Sequence, residues 1–396
     1  MTNSFGTGPS REVIRCLEAA GYEAVFVGGA VRDYVLGKPA TDMDIATSAQ
    51  PDEVKVVFSN TVDLGTEHGT VLVLMQREPI EVTTYRTEGT YTDHRRPDEV
   101  QFVKSLREDL LRRDFTMNAL AMTKEGELID LFGGKQDIAH QIIKAVGNPA
   151  NRFKEDALRM FRAVRFASVL GFAIEEDTYK AIAENAQQIR YISIERLKAE
   201  MDKLFNGIDP EKAFRYIQDS GLGIHLPLFP IKAARLISTV PYESAVEGWA
   251  CFMVAGNFSP TDVMKAYKLS KHEQMVITAV NEAYEKRRFQ PFSIGDYYTY
   301  DLQVLFTAEK LFQAYHADKE KISNTEIMHR KQSLPIQSVK DLKVDGKVLI
   351  SWTGLKGGPW TGKWIGLIEH AVLHGRCDND SNTIKEWFLH EFNREK

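Results

Sequence analysis

Two aspartates, Asp42 and Asp44, stand one residue apart around Met43 and lead into the apolar pair Ile45-Ala46. Alternate residues of a strand share a face, so both carboxylates could reach one hard cation. Taken alone the pair could equally be an acidic turn. Upstream, Gly28-Gly29-Ala30-Val31-Arg32-Asp33 follows an apolar run and opens a helical pattern. Glycines let backbone approach phosphate oxygens, and N–H groups at a helix start, together with Arg32, could neutralise them. An ordinary strand-to-helix turn is the plain alternative. Glu81, within Ile80-Glu81-Val82, would be costly as an unpaired charge in a central strand, so it is expected to meet a cation and complete a three-carboxylate site. An ion pair with Arg86 is the competing reading.

Further along, Arg112-Arg113-Asp114-Phe115-Thr116-Met117-Asn118-Ala119 places two cations, a carboxylate and an amide within two expected helical turns. Such groups could hold a triphosphate and read a ribose hydroxyl, although a charge run is commonly a solvated face. In Glu155-Asp156-Ala157-Leu158-Arg159, Asp156 and Arg159 are expected to be neighbours on a helix surface, and a routine helix ion pair is the plain alternative to a binding role. Arg162 and Arg165 continue that stripe at three-residue steps, as cations for phosphate or a brace for Asp156, with outward solvation of one of them as the alternative.

These residues need elements to position them. Up to about residue 145, short apolar runs alternate with turns, and strands are expected at Ala24–Val27, Asp42–Ala46, Val71–Leu74 and Ile80–Thr83. Helices fit after Gly28-Gly29 and from Pro51. From about Asn151 the period becomes helical, with one long amphipathic element running through Leu158, Phe161 and Val164, and a single short strand expected at Val348-Leu349-Ile350. The fold class is therefore α+β, a mixed-sheet N-terminal part followed by an all-α remainder. The Gly- and Trp-rich stretch Gly354 to Trp364 could present Trp360 or Trp364 to a partner, or be a loop with buried Trp.

The 396 residues exceed one ordinary domain, and 43% hydrophobic with 27% charged residues fits a globular chain. A net charge of -5 excludes indiscriminate coating of nucleic acid, so any RNA site must be a local basic surface. Neither a secretory signal pattern nor an apolar run of roughly 18 residues is present, which leads us to expect a cytoplasmic protein. Cys16, Cys251 and Cys377 lack zinc-site or disulfide spacing and read as reduced thiols.

In this order the motifs resemble those of class II tRNA nucleotidyltransferases, the CCA-adding enzymes of the DNA polymerase β-like nucleotidyltransferase and poly(A) polymerase family. The resemblance runs from residue 28 to about 205 and includes Asp130-Leu131-Phe132-Gly133-Gly134, Asp137 and Glu195-Arg196. It implies a catalytic head at 1–145, a helical neck for base recognition at 146–205, a helical body at 206–275 and a tRNA-binding tail at 276–396. It also implies two Mg²⁺ ions held by Asp42 and Asp44, with Glu81, that activate the tRNA 3′ hydroxyl against the α-phosphate of CTP or ATP and stabilise departing pyrophosphate. Arg113 would contact phosphate, Asp114 the ribose and Asn118 the nucleotide pocket.

Asp156 and Arg159 would read the base. A carboxylate accepts from the amino group of cytosine or adenine while a guanidinium donates to the adjacent ring nitrogen; uracil and guanine present the opposite polarity. The implied partners are the tRNA 3′ end, CTP and ATP, with no membrane and no protein partner. Addition of A alone and a bacterial poly(A) polymerase are the nearest alternatives; the latter would favour a basic tail that this chain lacks. A non-catalytic RNA-binding protein is the different-class alternative. Gly89 to Pro97, with Asp93, His94, Arg95 and Arg96 at its centre, resembles the flexible loop of enzymes that add the terminal A.

Overall fold

The computed structural model describes residues 5–40, 42–65, 69–88, 100–231 and 242–395. Asp93, His94, Arg95 and Arg96 lie outside the described residues. The chain separates into two compact units. The first runs to Ser238 and takes back Tyr242–Ala245 and Lys265–Lys268; the second contains Val246–Met264 and Leu269–Lys396.

The first unit is organised by a mixed sheet. Its strands are β1 (Ala24–Val27), β2 (Asp44–Thr47), β3 (Thr61–Gly65), β4 (Thr70–Met75), β5 (Glu78–Thr84), and, after a separate hairpin of β6 (Arg86–Glu88) and β7 (Val100–Phe102), β8 (Leu120–Met122) and β9 (Leu128–Asp130). Their spatial order is β3-β4-β5-β2-β1-β8-β9, and only the β2–β5 pairing is parallel. All four residues of β1 are buried, as expected of a central strand covered on both faces. Val25 and Val27 share a face and join Ala46, Leu110, Ala121 and Val146 in a common core. Helix α1 (Gly8–Ala19) buries Val13, Ile14 and Leu17 and packs on β1 and β4.

Helices α2 (Gly29–Val35) and α3 (Pro51–Val57) arise where glycine and proline signals placed them, and three of the four expected strands hold with small changes in extent. The Asp42–Ala46 strand needs correction. Strand β2 starts at Asp44, so Asp42 precedes it, and the shared-face argument for the pair does not apply. Nor does Arg112 to Ala119 form two helical turns. Helix α4 (Leu106–Leu111) ends at Arg112, Phe115 is extended, and Thr116–Asn118 makes a 3₁₀ turn followed directly by β8. Phe115 instead bridges to Ala145, a tertiary pairing that local periodicity does not encode.

After α5 (Gly134–Ala139) and strand β10 (Ile142–Ile143), the expected long helix is two helices. Helix α6 (Pro149–Glu155) stops at Asp156, whose backbone is extended at φ -138° and ψ 104°, and α7 (Leu158–Leu170) begins beyond it. Asp156 and Arg159 are therefore not companions on one helix surface. Helix α7 is buried nearly all round and packs on α9 (Ile194–Phe205) and α10 (Pro210–Asp219); α8 (Glu176–Asn185), preceded by β11 (Ala173–Ile174), packs on α6.

The second unit is helical among the described residues. Residues Val348-Leu349-Ile350 lie in the helix Gly346–Thr353, not a strand: Asp345 accepts the Val348 N–H at 3.0 Å and Gly354 closes the helix at φ 70°, so two caps override the β-branched run. Trp364 is buried against Phe388 and Phe392, and the Trp360 indole donates to the Lys356 carbonyl. No helix among the described residues is long and apolar enough to cross a membrane.

Candidate active site

A cavity of about 510 Å³ opens within the first unit where the β1–α2 turn, the start of β2, the α4–β8 connection and helices α7 and α9 come together. Eleven expected site residues line it: Gly28, Gly29 and Arg32; Asp44; Arg113, Asp114 and Asn118; and Asp156, Arg159, Arg162 and Arg165. Seven arginines and three aspartates line it, and Asp33, Asp109, Glu155 and Glu200 pair with those arginines from outside the lining, so it is the guanidinium N–H donors facing the cavity, not a net positive charge, that suit a triphosphate.

Gly28 takes φ 80° and ψ -146°, a region essentially reserved for glycine, and an added Cβ would lie 3.2 Å from the Asp44 Oδ2. The turn thus brings backbone close to the head of β2. Arg32 crosses the cavity floor to donate to the Asn118 Oδ1 at 2.8 Å while pairing with Asp33. The 3₁₀ turn that carries Asn118 is braced from behind. Asp130 accepts the N–H groups of Gly134 and Lys135, both at 2.9 Å, Thr116 donates to Asp137 at 2.6 Å, and a Cβ on Gly134 would come within 2.2 Å of the Thr116 carbonyl oxygen.

Asp44 is an acid of the cavity whose pKa is raised. Burial, and then the negative charges of Glu81 and Asp42, push it up to about 6 against the pull of Arg113. The parallel register Ile45↔Val82 explains the first of those charges, since it sets Glu81 beside Asp44 on adjacent strands. Glu81 is nevertheless exposed, so the argument that its burial demands a cation fails, and Asp42 is exposed too. Among the described residues no three His, Cys, Asp or Glu side chains converge as a ready metal cage. The donor chemistry still fits Mg²⁺, which is commonly held by one or two carboxylates plus substrate phosphates, and a divalent cation would relieve the repulsion recorded at Asp44.

Asp114 forms the densest node. Its carboxylate accepts from the Phe115 N–H at 2.8 Å, Asn118 Nδ2 at 2.9 Å, Arg162 Nε at 2.8 Å and Arg162 Nη2 at 2.6 Å. Burial alone would raise its pKa, but Arg162 and these hydrogen bonds hold it down at about 2. On the far side Glu200, from α9, accepts from Arg165 Nε at 2.8 Å and faces Arg162 at 3.6 Å. Neither arginine turns fully to solvent: side-chain exposure is 32% for Arg162 and 9% for Arg165. Arg32, Arg162 and Arg165 all lie over the ring of Phe166, which also meets Phe115 edge-on. Arg113 is held by Asp109 at 3.3 Å, and Asp109, fully buried, is kept below the usual carboxylate range because Arg112 and Arg113 outweigh its burial.

Asp156 and Arg159 reach the same cavity by separate routes. Asp156 pairs with Arg196 of α9 at 2.6 Å, whereas Arg159 pairs with Glu155 at 2.7 Å and donates to the Arg112 carbonyl at 2.9 Å. Arg112, the other cation of the Arg112-Arg113 pair, completes the lining with Leu158, Phe166 and Arg196, to none of which the sequence assigned a role. The Glu195-Arg196 motif was the available signal for Arg196; Phe166 reads in sequence as one more core aromatic.

Fold and site together define a nucleotidyltransferase. Residues 24–144 match the Poly A polymerase head domain family, residues 171–233 the family described as "Probable RNA and SrmB- binding site of polymerase A", and residues 241–388 a tRNA nucleotidyltransferase second domain. The chain is 41% identical over 381 residues to a CCA-adding enzyme of Bacillus cytotoxicus, covering 95% of this chain and 96% of that protein, and matches that of Bacillus cereus equally. The solved Bacillus stearothermophilus CCA-adding enzyme, in complex with CTP, superposes with a TM-score of 0.87 at 36% identity, covering 100% of this chain and 99% of that one. A Thermotoga maritima CCA-adding enzyme complexed with tRNA shares the fold at a TM-score of 0.66 and 20% identity, over 97% of this chain and 94% of that one. The chain belongs to the family of CCA-adding enzymes.

Proposed function

We propose that this chain adds C, C and A in turn to the 3′ end of tRNA, taking CTP and ATP, releasing pyrophosphate and using no nucleic-acid template. The observation that carries the reading is one cavity lined by both the Gly28–Asp44 phosphate end and the Asp156–Arg159 pair. On this reading Gly28 and Gly29 admit the triphosphate, and Arg113, Arg162 and Arg165 neutralise it. Asp114 and Asn118 orient the ribose. Asp156 accepts the amino group of cytosine or adenine while Arg159 donates to the neighbouring ring nitrogen.

Two Mg²⁺ ions held by Asp42 and Asp44, with Glu81 alongside, would supply activation of the attacking hydroxyl and charge stabilisation at the departing oxygen. The protein's own share is orientation, with the cavity's arginines donating hydrogen bonds to the phosphates. Residues 1–145 then act as catalytic head, 146–205 as base-reading neck, 206–275 as body and 276–396 as tRNA-binding tail.

The test is Asp42→Ala and Asp44→Ala, singly and together, with circular dichroism to verify folding. Both C and A incorporation should fall by at least ~10²-fold. Mg²⁺-dependent incorporation persisting near the parental rate in the folded double variant would reject the metal assignment.

A further inference from the structure

Asp156 does not stand free in the cavity. Its Oδ1 accepts the Leu158 N–H at 3.0 Å and Arg196 Nη1 at 3.2 Å, and its Oδ2 accepts Arg196 Nη2 at 2.6 Å. A carboxylate offers about four lone-pair sites, so these three bonds leave one, on Oδ2. The two guanidinium bonds run in parallel, and such a fork fixes the carboxylate plane as well as its position.

The backbone does not provide that control. Asp156 is extended at the break between α6 and α7, so without the fork its side chain would be held only by the Leu158 N–H. Both partners line the cavity, with side-chain exposures of 16% for Asp156 and 27% for Arg196.

We infer that Arg196 is a specificity-determining positioning residue: by taking two of the lone pairs on Asp156 and fixing its plane, it leaves a single acceptor for the base. One amino N–H satisfies that acceptor, as cytosine and adenine can. The carbonyl oxygen of uracil or guanine meets it lone pair against lone pair. The inference rests on the reading of Asp156 as base reader, and it assigns the selectivity of that reader to a side chain forty positions downstream on another helix.

The experiment measures kcat/KM for CTP and UTP on tRNA truncated to accept C, for the parent, Asp156→Ala, Arg196→Met, Arg196→Lys and the Asp156→Ala/Arg196→Met double variant, each checked by circular dichroism and thermal melting. Arg196→Met should lower the CTP-to-UTP ratio by at least ~10-fold, the scale of one hydrogen bond to a charged group. Lysine cannot form the fork, so Arg196→Lys should lie between parent and Met. The double variant should discriminate no worse than Asp156→Ala alone, because Arg196 acts through Asp156.

A merely structural Arg196 would slow both nucleotides equally and leave the ratio unmoved, which overturns the inference while the base-reader reading stands. Additive losses in the double variant overturn it as well. An unchanged ratio in Asp156→Ala removes the base-reader reading and the inference with it. If the Met variant does not fold, an Arg196→Lys variant with parental discrimination is sufficient to overturn the claim.

Discussion

Replacing Asp114 with asparagine keeps the shape of the side chain and removes its charge. All four contacts to the Asp114 carboxylate come from donors: the Phe115 N–H, Asn118 Nδ2 and two nitrogens of Arg162. An asparagine NH₂ must therefore face a donor whichever way it turns. The gap between an ordinary aspartate at 3.8 and the value of about 2 held here corresponds to about 2 kcal/mol. With the mismatched amide added, Asp114→Asn should destabilise the first unit by about 2–4 kcal/mol at pH 7. Because the folded pKa lies below the unfolded one, this stabilisation is complete above about pH 5 and fades as pH falls through 4 toward 2. Urea unfolding, which avoids added salt, would be read by amide hydrogen exchange in α7 and in the 3₁₀ turn Thr116–Asn118. All five tryptophans, Trp249, Trp352, Trp360, Trp364 and Trp387, belong to the second unit, so their fluorescence is an internal reference. A difference that is pH-independent, or smaller than about 0.5 kcal/mol at pH 7, would rule out the Asp114 charge as the source of this stability.

Gly28→Ala forces a side chain into glycine-only backbone space beside Asp44, so it should cost about 1–3 kcal/mol and lower kcat for CTP and ATP alike; an alanine variant with parental melting temperature and rate would contradict it. Asp156→Ala should weaken CTP and ATP use relative to UTP and GTP by ~10-fold or more, measured as four kcat/KM values, and unchanged selectivity counts against the base-reader assignment. Replacing Asp93-His94-Arg95-Arg96 with a Gly-Ser linker should spare C addition and sharply reduce A addition; equal slowing of both, or of neither, would deny this segment a part in passing from C to A addition.

Much of the catalytic end could be read from residue types. The apolar run Ala24–Val27, the glycines that follow it and the acids near Ile45 announced a strand, a turn and a second strand, and these lie together in the sheet. Local pattern misjudged the places where tertiary contacts take over. The helix break at Asp156 has no glycine or proline to mark it, and the residue is held by Arg196 from α9. Glu200 reads as one more polar residue on an amphipathic helix, yet it is buried between Arg162 and Arg165. Glu81 erred in the other direction, since apolar neighbours in sequence suggested burial that the carboxylate does not have. Strands of three residues, such as β8 and β9, are too short for alternation to register.

One site is expected to select C and then A and to join them to tRNA without a template. Purified chain should be incubated with tRNA lacking its CCA end, Mg²⁺ and each labelled nucleotide in turn, then with CTP and ATP together, with a chelator control. CTP alone should extend the tRNA by two residues, ATP should complete it only after both are in place, UTP and GTP should be poorly used, and chelator should stop the reaction. Repeated addition of A irrespective of the preceding C residues, comparable use of all four nucleotides, or no incorporation by the folded protein would contradict this expectation.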